Sequence, residues 1–102
     1  MKTEKIIEHV TKAVNSWVTK SKYLTSEEVW KDLIVRECKD GNEVVEILFD
    51  GGYCYDMINE TWCEYGGDMI WETAEEIFGL KALENKGHEA EPYASWKISI
   101  YK

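Results

Sequence analysis

Long apolar runs are missing from this 102-residue chain: no segment approaches the ~18 to 20 apolar residues needed to cross a bilayer. A membrane protein is therefore not expected. The first residues, MKTEKIIEHVTKAVNSW, are broken by Lys2, Glu4, Lys5, Glu8 and Lys12, which leaves no apolar core for a secretion signal. Proline occurs once and glycine seven times, too little for a fibrous or low-complexity chain. Cysteine is sparse and odd in number, with Cys38, Cys54 and Cys63 only. A secreted disulfide scaffold would carry a denser, even set, so reduced thiols in a cytoplasm are expected.

Basic residues are also scarce. Twelve Lys and Arg stand against twenty Asp and Glu, for a net charge of -8 and a pI near 4.7. Direct binding to a phosphate backbone has the wrong sign, and a basic protein partner is favoured instead. Motifs for chemistry are missing too. Gly51-Gly52 and Gly66-Gly67 have no following Lys and no G-x-G-x-x-G frame to cradle a phosphate. Cys38, Cys54, Cys63 and His88 are suitable zinc ligands, but no cysteine pair has the close spacing of a zinc knuckle. A cysteine nucleophile with His9 or His88 as base would need a meeting in space that spacing alone does not predict. No enzymatic activity, cofactor or metal is expected.

What is present is a globular balance, 44% hydrophobic and 31% charged, in a length that suits one domain spanning residues 1–102. Ile6, Ile7, Val10, Ala13, Val14, Trp17 and Val18 recur at steps of three and four, which predicts an amphipathic helix from about Thr3 to Thr19. Thr25 followed by Glu28 reads as a capping box for a short second helix that buries Val29, Trp30 and Leu33. Two β-branched runs around Asp40-Gly41-Asn42 predict an antiparallel hairpin over residues 33–49. A three-residue loop would set Lys39 opposite Glu43 and Arg36 opposite Glu46, each pair contributing about 0.2 to 1 kcal/mol. Asn42 is the residue expected to take the left-handed conformation.

After Asp50-Gly51-Gly52, Tyr55, Ile58, Trp62 and Tyr65 fit a helix, although Tyr53, Tyr55 and Met57 also fit a strand. Asp68 is placed to cap a helix with Ile70, Trp71, Ala74, Ile77 and Phe78 inward and Glu72, Glu75 and Glu76 outward. Gly79 ends or kinks it, Leu80–Lys86 continues it, and residues 88–92 read as loop. Trp96, Ile98 and Ile100 alternate with polar residues as a strand over 95–101 with one face buried. The expected fold class is α+β, with the N-terminal helix and the helices of the second half packed on a small antiparallel sheet.

Acid is concentrated in the second half: residues 37–91 hold three bases and fifteen acids. Asp56, Glu60, Glu64, Asp68, Glu72 and Glu76 are spaced four apart, which on helix is about 6 Å along the axis, comparable to a phosphate spacing. Like charges at i,i+4 repel by about 0.2 to 0.5 kcal/mol per pair, so a purely structural helix would intersperse lysine. The bland alternative is a solvated acidic face that serves solubility. Tyr53, Tyr55, Trp62 and Tyr65 lie among these acids, and Tyr and Trp dominate binding hot spots. Trp17, Trp71 and Trp96 sit on apolar stripes and are expected in the core.

In size and charge the chain resembles the small acidic inhibitors of phages and mobile elements, such as anti-CRISPR proteins, and the immunity proteins that neutralise nuclease toxins. That resemblance is in composition only and carries over no residue; the acidic, aromatic-studded 50–76 region itself leads to the expectation of a non-enzymatic inhibitor that occupies the nucleic-acid-binding surface of a basic protein. Its expected contact residues are Asp56, Glu60, Trp62, Glu64, Tyr65, Asp68, Glu72, Glu75 and Glu76. Two other classes fit the aromatic content: a small-molecule or nucleotide-binding module with an aromatic cleft, and a structural protein that forms a homodimer or larger homo-oligomer.

Overall fold

The computed structural model describes residues 2–59 and 70–102. Helix α1, Thr3–Lys20, buries Ile6, Val10, Val14 and Val18 along the stripe read from sequence, with Ile7 and Trp17 half-buried at its margins. The short α2, Ser26–Trp30, starts where expected, because the Thr25 hydroxyl accepts from the Glu28 N–H and satisfies one of the free first-turn donors. Trp30 donates its indole N–H to Asn15 Oδ1 at 2.8 Å, which ties α2 to α1.

Strands β1, Ile34–Asp40, and β2, Glu43–Leu48, form the expected hairpin. Arg36 lies opposite Glu46, and Arg36 Nε donates to Glu46 Oε1 at 3.0 Å. The loop differs from expectation. Asp40, not Lys39, stands opposite Glu43, and the register slips between Glu37 and Asp40. This leaves Gly41-Asn42 as the connection, with Gly41 at φ 64°. The irregularity absorbs the residue that a longer loop would have held, and only glycine takes a positive φ without a Cβ penalty.

Helix α3, Gly52–Asn59, bears out the helical choice for the residues it covers; the remainder, 60–65, lies outside the described residues. Helix α4, Trp71–Phe78, buries Ala74, Ile77 and Phe78. Its N-cap position is held by Ile70, whose side chain makes no cap bond, in place of the expected Asp68, which lies outside the described residues. Gly79, left-handed at φ 65°, ends α4 and starts α5, Leu80–Asn85.

Residues 88–92 are not all loop, since Ala90–Ala94 form β3 and pair with β4, Lys97–Tyr101. Proline is tolerated there because β3 is an edge strand. Trp96 is not in the core: it precedes β4 in the turn and leaves 39% of its surface in water. The strand order is β1-β2-β4-β3, all antiparallel, so β4 joins the hairpin as expected. Val45, Ile47, Phe49, Ile98 and Ile100 turn to the side packed by the helices, and Phe49 meets Phe78 with ring centroids 5.7 Å apart. The result is a single α+β domain with its core between helices and sheet. No helix among the described residues is long and apolar enough to cross a membrane.

Candidate functional site

The 3.6-residue period of α4 sends its carboxylates opposite to Ala74, Ile77 and Phe78. Glu72 and Glu76 are exposed and Glu75 is half-buried. With Gly79, Lys81 and Ala82 they line an open groove of about 450 Å³. None of the three carboxylates comes within 4.0 Å of a base among the described residues, unlike Glu8, which pairs with Lys5 and Lys12, or Glu37, which pairs with Lys39. Glu76 also lines a smaller groove with Ala13, Ser16, Trp17 and Lys20, so one edge of half-buried Trp17 borders the acidic face. Asp56 is exposed on α3. Glu60, Trp62, Glu64, Tyr65 and Asp68 lie outside the described residues. The structure thus brings Glu72, Glu75 and Glu76 together.

A second polar cluster lies on the face of the sheet opposite Val45, Ile47, Ile98 and Ile100. Lys97 Nζ sits 3.2 Å from Glu43 Oε1 and 3.7 Å from Glu46 Oε2, while Arg36 holds Glu46 Oε1 from the far side at 3.0 Å. The Lys97 ammonium is also 4.6 Å from the centre of the Tyr93 ring, whose face attracts a cation. Ser99 stands opposite Glu46 on β4, fully buried, and its Oγ has no hydrogen-bond partner among the described residues. Burial alone would raise the Glu46 carboxyl, but Arg36, Cys38 and Lys97 together hold it below the ordinary range. Burial would likewise lower the Lys97 ammonium, and the Glu43 and Glu46 charges outweigh it and raise it.

Cys38 completes this cluster. Its sulfur and one oxygen each of Glu43 and Glu46 lie within 4.8 Å of one another, a donor set that a soft divalent metal could use. Lys97, however, already stands beside both carboxylates as their cation. Burial first, and then the two carboxylates, push the Cys38 thiol up to about 11, so at neutral pH it is a thiol and a poor nucleophile or ligand. The grouping is a compensated ion network, read most simply as what allows two carboxylates to be buried in a sheet. The zinc set considered from sequence is not assembled by the described residues. Cys54 is buried in the core, its thiol raised to about 12 by burial, and His88 spends Nδ1 on the Tyr101 carbonyl.

Sequence reasoning found half of the network, the Arg36–Glu46 pair, and missed Lys97. The only available signal was a lysine on the outward alternation of the last strand. At the end of the sheet a wider cleft of about 680 Å³ is lined by Lys2, Thr3, Glu37, Cys38, Glu43 and His88 among others. Acids and bases alternate around it without a dominant sign. Comparison with protein-family models, curated proteins and solved structures gives no significant match.

Proposed function

We propose that the protein is an acidic, non-enzymatic binding protein that docks on a basic nucleic-acid-acting protein, such as a nuclease, and occupies its nucleic-acid-binding surface. The supporting observation is a grouping: Glu72, Glu75 and Glu76 line one groove and make no ion pair among the described residues. Unmatched like charges cost stability, so their retention on one helix face favours a partner of opposite sign. The proposed contact set also takes in Asp56, Glu60, Trp62, Glu64, Tyr65 and Asp68, with the rings as anchors for a complex that charge would accelerate. Such a role resembles that of anti-CRISPR or immunity inhibitors and would be exercised in the cytoplasm.

The test is capture from host lysate at low salt with stepwise salt elution, then competition with DNA for the purified partner. The expected outcome is one basic nucleic-acid enzyme whose DNA binding is displaced. Reversing Glu72, Glu75 and Glu76 to Lys should weaken that complex at least about tenfold and flatten its salt dependence. Unchanged affinity in the reversed variant would remove this surface from the account.

A further inference from the structure

Plain alternation along β2 would put Glu43 and Glu46 on opposite faces of the sheet, because side chains change face at every step and the two lie an odd number of residues apart. They nevertheless share Lys97. The pairing of β2 with β4 slips between Glu43 and Val45, and a slip of this kind re-aims a side chain. Glu43 thereby joins Glu46 and Cys38, with the sulfur and one oxygen of each carboxylate within 4.8 Å of one another. Both carboxylate side chains are about nine-tenths buried.

Ser99 gives an independent sign that this set lacks an atom. It lies directly across from Glu46 and so shares its face, it is fully buried, and its hydroxyl has no hydrogen-bond partner among the described residues. A thiol beside two carboxylates and a hydroxyl is a donor set for a divalent ion of the zinc class. Such an ion holds sulfur and oxygen at ~2.0 to 2.3 Å, so these donors need to draw in by about an ångström, which side-chain rotation supplies. Lys97 is the cation that now stands beside both carboxylates, and the Tyr93 ring, 4.6 Å from its ammonium, offers that charge a second seat.

We propose that Cys38, Glu43 and Glu46, with Ser99 as the fourth donor, form a cation-exchange site that takes a zinc-class divalent metal in place of the Lys97 ammonium. Loading breaks the Cys38 S–H bond, forms a sulfur–metal bond and releases the proton to solvent, with no change of oxidation state. This stands independently of the acidic docking surface. Titration of the full chain with cobalt(II) should give a sulfur-to-metal charge-transfer band that saturates at one ion per chain and is bleached by zinc. Cys38→Ser should abolish the band and weaken zinc binding at least about tenfold, whereas Cys63→Ser should leave both unchanged. Lys97→Met removes the competing cation and should tighten zinc binding several-fold; circular dichroism checks folding, and Lys97→Gln serves if Lys97→Met does not fold. No band, a band that survives Cys38→Ser or is lost in Cys63→Ser, or an affinity that removal of Lys97 does not raise would overturn the proposal.

Discussion

The Lys97 ammonium lies 3.2 Å from Glu43 Oε1, and both side chains are almost fully removed from water. Lys97 therefore supplies a positive charge beside both buried carboxylates, Glu43 and Glu46. Removing one member of a buried ionic group leaves the others uncompensated, at a cost of about 3 to 5 kcal/mol in fully enclosed sites. Arg36 is mostly exposed and still compensates Glu46, which reduces this, so Lys97→Met should destabilise the protein by about 2 to 3 kcal/mol in urea unfolding. Adding Glu43→Gln and Glu46→Gln should restore part of the loss. Additive destabilisation by all three changes would show that the charges do not depend on one another.

The same network sets the limits of stability with pH. The Glu46 carboxyl is held below its ordinary value in the folded protein, so its contribution is complete above pH ~4.3 and disappears as pH falls through the folded value. The Lys97 ammonium is raised, so its contribution is complete below pH ~10.4 and disappears as pH climbs through its folded value. Cys38, raised to about 11, adds a loss that begins above the ordinary thiol range and is complete beyond its folded value. Denaturation midpoints measured from pH 3 to 11 should form a plateau that falls at both ends. In Glu46→Gln the acid limb should be shallower; an unchanged limb would place the acid sensitivity elsewhere.

Gly79 joins α4 to α5 in a left-handed conformation, and its carbonyl accepts from His9 Nε2 at 2.8 Å. A Cβ there would come to 2.9 Å from His9 Nε2 and 3.0 Å from Ala13 Cβ, so the residue is constrained by space as well as by φ. Gly79→Ala combines the left-handed penalty of about 1 kcal/mol with displacement of α1 and should cost about 2 to 3 kcal/mol in all. His9→Ala removes the bond together with the half-buried ring and should cost about 1 kcal/mol. Thermal unfolding of both variants separates the two effects, and a Gly79→Ala loss no larger than that of His9→Ala would argue against the steric part.

Much of this architecture could be read from local pattern. The α1 stripe is a matter of three- and four-residue spacing, and the Arg36–Glu46 pair follows from hairpin parity and opposite charge. The hairpin loop failed locally, on a register slip between Glu37 and Asp40, and the rest of what failed depended mostly on contacts distant in sequence. Strand β3 was hidden because Glu91 and Pro92 look like loop, and only its position at an edge makes them acceptable. Trp96 matched the alternation of β4 yet falls in the turn, where its carbonyl, not its ring, serves the fold by accepting from the Phe49 N–H at 2.9 Å. The Lys97 network needs β4 beside β2, which no local pattern specifies. For the acids, spacing alone shows that Glu72 and Glu76 share a helix face, but whether Asp56 on α3 joins them depends on how two helices sit.

Cys38 offers a chemical readout of that same network. A thiol raised to about 11 is very sparsely ionised at pH 8, and its thiolate is the form that alkylates. Iodoacetamide should modify Cys38 roughly 10- to 25-fold more slowly than a free thiol, the higher nucleophilicity of the basic thiolate offsetting part of the deficit. Cys54, buried in the core, should react only through unfolding. In Glu46→Gln the nearby negative charge is lost, the Cys38 thiol should ionise more readily, and its alkylation should accelerate several-fold while Cys54 changes only with stability. Rates followed by mass spectrometry of the two cysteine peptides test this, and equal acceleration at both sites would mean that Glu46→Gln loosened the fold instead of altering the charge beside the sulfur.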